Sequence, residues 1–454
     1  MKIKRFFSLF FILTLLLSLC APVRAEERFE VDARAALMID VGSGEVLYEK
    51  AAHEKNYPAS ITKVMTALLT LEAVHAGTLS LDQEITAQES AFQGLASDGS
   101  TANIKAGEVM TVENLLNCLL IVSANEASHI LAEAVSGSVS AFVEKMNQRA
   151  SALGCFETHF ANPSGLHDDD HYTSAWDICL FTAEAMKYEE FNTIVARKAY
   201  TVPATNVSKE RSLHTTNYLI DTWRTGRPGY LYDDARGTKT GSTPEAGYCL
   251  VASAEHGERR LISVVLGAER IVEDGVTYTK SFSETIRLFD HGFNDFRSLN
   301  LVSDDEFICE VPVDLSSEAN YVVVHPSESV TRMISVDLDP EDFTRTIALN
   351  SEIADAPIAE GDALGTLTIS QGDEVYAEVE LLALNDVSAS KLLIRQRQLK
   401  EFLARPWVKF AAAGLVALAV GAAVLAFSSR VRSKRYSSRR SVYSYTGYRG
   451  RKKR

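Results

Sequence analysis

Pro58-Ala59-Ser60-Ile61-Thr62-Lys63-Val64-Met65-Thr66 is the stretch on which the reading of this chain turns. Apolar residues recur at three- and four-residue intervals from Ile61 to His75, so the pattern predicts a helix that opens at Ser60. Ser60 and Lys63 then lie about one turn apart on one face. At a helix N-terminus, backbone amides and the helix dipole favour negative charge on attacking and attacked oxygens. A serine hydroxyl is a poor nucleophile until a base takes its proton, and a lysine amine does so when desolvation and nearby cations depress its pKa. Lys63 is that candidate. Alone, the pair reads better as a helix cap beside a solvated charge.

Working outward, Ala35 to Ala52 reads as a hairpin turning at Gly42-Ser43-Gly44. Helical periodicity covers Val112 to Val135 and Val139 to Leu153, and Asn162-Pro163-Ser164-Gly165 interrupts it before another helix near Ser174. After Thr238, two apolar runs, Tyr248 to Ala254 and Leu261 to Leu266, read as strands, and Ser281 to Phe293 as a helix. Strands at both ends of a helical middle predict an α+β domain whose N- and C-terminal segments share one sheet. From Glu306 to Ala383 alternation replaces helical spacing, which predicts a small all-β domain. Two further polar patterns fall inside the first domain. Ser123-Ala124-Asn125 ends a long apolar run, where Ser123 is placed to relay a proton and Asn125 to bond a substrate amide. Lys239-Thr240-Gly241 precedes a strand, where Lys239 and Thr240 suit a carboxylate and Gly241 a close backbone approach. Each pattern is weak by itself; a polar loop and a surface turn explain them as well.

Charge and hydropathy divide the 454 residues further. Lys2, Lys4 and Arg5 precede an apolar run ending in Val23-Arg24-Ala25, which reads as a signal peptide cleaved after residue 25. Phe410 to Phe427 is apolar and uncharged, and residues 430–454 carry 11 Lys and Arg with no acidic residue. Together they predict a membrane span with its tail held in the cytoplasm. Residues 26–409 carry 31 basic against 60 acidic residues, a surface ill suited to nucleic acid. Cys118, Cys155, Cys179, Cys249 and Cys309 follow the signal segment, an odd number, and Cys118 and Cys249 sit in apolar runs as buried thiols would.

The set and order of the three patterns resemble the penicillin-recognising serine enzymes. More closely, the chain resembles the D-alanyl-D-alanine carboxypeptidases, the low-molecular-mass penicillin-binding proteins, over about residues 30 to 385. Supporting stretches are Phe142 to Asn147, Phe160-Ala161-Asn162-Pro163-Ser164-Gly165-Leu166, Lys239-Thr240-Gly241-Ser242 and Pro357-Ile358-Ala359-Glu360-Gly361-Asp362. The resemblance implies an antiparallel sheet with a helical cluster, of β-lactamase/transpeptidase type, followed by the small all-β domain and the C-terminal transmembrane helix. It implies catalysis by Ser60, Lys63 and Ser123, and substrate binding by Asn125, Lys239, Thr240, Gly241 and Ser242. Ser60 would form an acyl-enzyme with the penultimate D-Ala and release the terminal one, with the amides of Ser60 and Ser242 as oxyanion hole. Peptidoglycan stem peptides are the implied partners and β-lactams the covalent inhibitors, with no cofactor. The expected segments are 1–25 signal, 26–298 catalytic, 299–387 β-rich, 388–409 amphipathic linker, 410–429 span and 430–454 tail.

The sequence also departs from the family. Glu126 follows Asn125 where Asp is frequent, a full span accompanies the amphipathic helix, and Arg270 aligns only loosely as a carboxylate ligand. His167-Asp168-Asp169-Asp170-His171 resembles a metal cluster but reads better as a polar loop feeding a helix, and His214 is placed near the cleft. Rival readings are a D,D-endopeptidase with the same residues, a β-lactamase, and an inactive wall-binding scaffold. No Glu-x-x-Leu-Asn segment lies between Asn125 and Lys239, which disfavours rapid penicillin turnover.

Overall fold

The computed structural model describes residues 29–95, 99–223, 228–273 and 275–440; the expected signal peptide lies outside them. Two compact units divide the chain: residues up to Leu299 with Arg332–Asp339, and Asn300–Thr331 with the remainder from Pro340. The first unit therefore takes back a segment that the sequence placed beyond residue 298. Met333 explains the return, since its amide donates to Glu45 Oε2 at 2.5 Å and its side chain, like Phe293 and Phe296, packs against the cluster of Phe282, Leu288 and Phe289.

Strands β1 (Ala35–Asp40), β2 (Val46–Lys50), β3 (Ala235–Thr243), β4 (Gly247–His256) and β5 (Arg259–Ala268) form the sheet of this unit. Their order is β2-β1-β5-β4-β3 and all pairs are antiparallel, so the N-terminal hairpin joins the C-terminal meander as the pattern predicts. Ile262, Val264 and Leu266 enter one core cluster while Leu261 and Val265 enter another. Both faces are covered, which is why β4 and β5 read as continuous apolar runs and not as a clean alternation. On one face pack α1 (Lys63–His75), α2 (Val112–Ile121) and α3 (Asn125–Ser136); on the other, α4 (Lys280–Asn294) lays down Phe282, Leu288 and Phe289. Ten of the thirteen residues of α1 are buried, so it is a core helix apolar nearly all round. Its first residue is consequently inside the protein.

The helical run expected from Val112 to Val135 is two helices. It breaks at Val122-Ser123-Ala124, where Ser123 adopts φ +62° and the amide of Ala124 donates to Cys118 O at 3.0 Å. A non-glycine residue in that region is strained and turns the chain sharply.

The second unit contains a six-stranded sheet ordered β7-β9-β10-β6, with Cys309–Asp314 and the two-residue strand Ala354–Asp355 at its far side; here β6 is Tyr321–Pro326, β7 Thr344–Leu349, β9 Ala363–Gln371 and β10 Glu374–Ala383, β8 being left for Ala354–Asp355 itself. Ala377, Val379, Leu381 and Ala383 point to its core at every second position. Helix α5 (Lys391–Ala404) follows, and α6 (Pro406–Arg440) begins after Arg405, whose extended backbone is what a following proline requires. Helix residues Pro406–Arg432 contain an 18-residue window of mean hydropathy 2.4, long and apolar enough to cross a membrane.

Candidate active site

Ser60 lies in a 3-10 turn, Ala59–Thr62, and the α-helix proper begins at Lys63. This corrects the expectation that Ser60 opens the α-helix. Ala59 takes φ +47°, and a Cβ at Gly165 would sit 1.9 Å from its carbonyl oxygen, so only glycine lets residues 162–166 press on this turn. The turn is also held from His171. Its Nδ1 accepts from the amide of Ala161 at 3.1 Å, which leaves Nε2–H to donate to Thr62 Oγ1 at 2.7 Å, and Thr62 donates to Ala59 O at 2.9 Å. Burial lowers His171 to a pKa of about 4, so the ring is neutral and carries this relay. His171 is thus engaged in positioning, and among the described residues no group of three or more His, Cys, Asp or Glu is placed to hold a metal.

Lys63 is wholly buried. Its Nζ lies 2.7 Å from Ser60 Oγ, 2.8 Å from Asn125 Oδ1 and 2.6 Å from Ser164 O. Desolvation first, and the Lys239 charge second, hold its pKa well below the ordinary lysine value, against an opposing pull from Glu126. A neutral amine has two hydrogens and one lone pair. With Lys63 neutral, the two carbonyl-type oxygens would take its hydrogens and leave the lone pair facing the Ser60 hydroxyl. The arrangement fits proton abstraction from Ser60.

The opposite wall is β3, the edge strand of the sheet. Lys239 is also buried, its Nζ donates to Thr240 O at 2.8 Å, and desolvation lowers its pKa to about 7. Thr240 Oγ1 lies 2.7 Å from Thr216 Oγ1. Gly241 has a different reason for being glycine from the one read in the sequence. A Cβ there would meet Pro58 O at 2.8 Å and the Ser60 amide nitrogen at 3.0 Å, so it admits the protein's own Ser60 turn.

A cleft of about 170 Å³ joins the two walls, lined among others by Ser60, Ser123, Thr240, Gly241, Ser242 and Arg270. Lys63, Asn125 and Lys239 stand behind that lining. Ser123 Oγ is buried and without a hydrogen-bond partner among the described residues. The Arg270 guanidinium sits over the Tyr248 ring at 4.4 Å. His214 stacks on Trp223 at 3.8 Å and is not a cleft-lining residue.

Residues 22–270 match the D-alanyl-D-alanine carboxypeptidase family. The chain belongs to that family. Residues 296–389 match the C-terminal domain of penicillin-binding protein 5. The D-alanyl-D-alanine carboxypeptidase DacF of Bacillus subtilis is 33% identical over 383 residues, 84% of this chain and 91% of the relative. Among solved structures, the carboxypeptidase DacD of Francisella tularensis superposes with a TM-score of 0.66 at 27% identity, covering 80% of this chain and 95% of that one. Penicillin-binding protein 5 of Haemophilus influenzae gives a TM-score of 0.61 at 28% identity over 79% and 98%. The expected α+β fold with a small all-β domain and an apolar C-terminal helix stands.

Sequence reasoning missed two parts of the site. Ser164 O, a partner of the buried amine, is a backbone carbonyl and has no residue signature. Asn125 was read as a ligand of substrate, and the hold of its Oδ1 on Lys63 is the second part missed.

Proposed function

We propose that this chain is a serine D-Ala-D-Ala carboxypeptidase in which Ser60 is the nucleophile and Lys63 the base. The hydrogen-bonded placement of buried Lys63 on Ser60 Oγ, with its pKa held down by desolvation, carries the reading. Lys63 takes the hydroxyl proton as Oγ bonds to the carbonyl carbon of the penultimate D-Ala. The amides of Ser60 and Ser242 receive the developing oxyanion. As the C–N bond breaks, the proton passes through Ser123 to the leaving amine, and D-Ala departs. Water then attacks the ester, giving a proton to Lys63, which returns it to Ser60. Lys239 and Thr240 hold the terminal carboxylate, with Arg270 at the same cleft, and the remaining Nδ2 hydrogens of Asn125 serve the substrate amide. β-Lactams acylate the same oxygen.

The apolar 18-residue window within Pro406–Arg432, unburied by the protein, supports a membrane anchor. The following cations favour a cytoplasmic tail and an extracytoplasmic catalytic domain.

Intact-mass analysis after incubation with a stem pentapeptide and benzylpenicillin tests the reading. The expected result is loss of one D-Ala from the peptide and a penicilloyl adduct on Ser60, both abolished in Ser60→Ala. An adduct on another residue, or peptide hydrolysis retained in Ser60→Ala, overturns it. Cleavage of a cross-linked dimer with the pentapeptide untouched would instead establish the endopeptidase.

A further inference from the structure

Thr216 lines the cleft beside Thr240, and their side-chain oxygens lie 2.7 Å apart, so one hydroxyl hydrogen lies between them and the other is left over. The acyl transfer proposed for Ser60 has no step for Thr216. Its place is nevertheless fixed from the opposite wall. The Thr216 amide donates to Ile121 O at 3.2 Å, at the end of α2 and just before the break at Ser123. Its neighbours are buried and tied in turn: the amide of Thr215 donates to Lys198 O at 2.9 Å, that of Asn217 to Thr215 Oγ1 at 3.1 Å, and that of Leu219 to Asn217 Oδ1 at 3.0 Å. Thr240 belongs to the edge strand β3, whose pairing is on one side only, with Leu250 of β4 opposite it. A side chain anchored on the Ser123 wall thus touches the hydroxyl of the Lys239 wall.

A carboxylate only accepts hydrogen bonds, whereas a threonine hydroxyl presents either its hydrogen or a lone pair. Turned the wrong way, it repels the anion it should hold. Were Thr240 to give its hydrogen to Thr216, its lone pairs would face the substrate. With the hydrogen running from Thr216 to Thr240, the Thr240 hydrogen is the one left for the substrate, and a chain forms from Thr216 through Thr240 to the carboxylate in which each bond polarises the next. We propose that Thr216 is a positioning residue that sets specificity: its hydroxyl donates to Thr240 Oγ1, holds the Thr240 hydrogen toward the terminal group of the substrate, and so makes the cleft select a carboxylate there over an uncharged ester or amide. The inference rests on the carboxypeptidase reading above, in which Thr240 meets that carboxylate, and adds the residue that aims it.

The test follows acylation of the full-length chain in detergent by intact mass, with benzylpenicillin and with its methyl ester, whose carboxylate is masked. The ratio of the two second-order rates measures selection of the carboxylate. Thr216→Val keeps the shape and the backbone contact with Ile121 and deletes the hydroxyl. It should lower the ratio about tenfold, because hydrogen bonds to a charged group are among the stronger ones. Thr216→Ser should restore the ratio, and Thr216→Ala carries the same expectation as valine should the valine variant fail to fold. Ratios taken within one variant do not depend on the fraction of folded enzyme. With a stem pentapeptide, the loss should fall on KM more than on kcat. An equal loss for both penicillins, which mere loosening of the fold would give, overturns the proposal, as does a ratio that is unmoved in Thr216→Val or stays low in Thr216→Ser. Absence of any adduct in the unaltered protein removes the carboxypeptidase reading as well, whereas an adduct on Ser60 with an unmoved ratio removes this inference alone.

Discussion

Two buried lysines stand beside one cleft and are held in opposite ways. Lys63 is fixed by three oxygens from three separate segments, Ser60, Asn125 and Ser164. Among the described residues, Lys239 Nζ has one hydrogen-bond partner, the carbonyl of the residue next to it. A group that must take and return a proton at one atom needs that over-determination, because proton transfer is sensitive to small displacements. A group that must greet an incoming carboxylate needs donors left over.

Removing the fixed lysine should have the largest effect. Lys63→Met keeps the stem and deletes the base, and acylation by benzylpenicillin should slow by about 10³-fold or more, as loss of an activating base does elsewhere. Stopped-flow or gel measurement of the acylation rate checks this; an unchanged rate would mean that another group deprotonates Ser60.

Lys239→Gln should act on recognition, lowering kcat/KM for peptides by about 10²-fold, mainly through KM. The two lysines also separate by pH. Lys63 must be neutral to act, so activity rises as its proton leaves, whereas Lys239 must be charged to hold a carboxylate. With its pKa lowered to about 7 by desolvation, kcat/KM in the free enzyme should fall as pH rises through about 7, and Lys239→Arg should remove that limb. The same shift sets a stability slope. Between about 7 and 10.5 the unfolded chain binds the proton that the folded one has lost. Stability therefore increases with pH across that window and is lost as pH falls, and Lys239→Met should flatten it in denaturant titrations.

Gly241→Ala sharpens the comparison at the junction of the walls. The added carbon meets backbone atoms of Pro58 and Ser60, which cannot swing aside, so the unfolding midpoint should drop by an amount equivalent to about 1–3 kcal/mol. A neutral result would mean that the turn moves independently of β3.

What was legible in the sequence follows from how each part is encoded. The hairpin at Gly42-Ser43-Gly44, the apolar strands β4 and β5 and the pairing of Ser60 with Lys63 are local patterns, set by spacing alone. The break at Ser123 was not, because apolar periodicity runs through it and only a positive φ, rare for serine, interrupts it. The partners of Lys63 were hidden for another reason. Ser164 contributes a main-chain oxygen 101 positions away, and such a contact leaves no trace in residue type. His171 shows the converse, a residue whose metal-like neighbours pointed outward while its ring served the nucleophile's turn.

Cys118, Cys155, Cys179 and Cys249 are all buried and unbridged. Burial pushes Cys155 and Cys179 up to about 12 and Cys249 up to about 11, with Cys118 raised further in the same direction. Reactivity belongs to the thiolate, so these sulfurs stay silent toward alkylating reagents while the catalytic unit is intact. These four thiols are therefore internal reporters that light up only on opening.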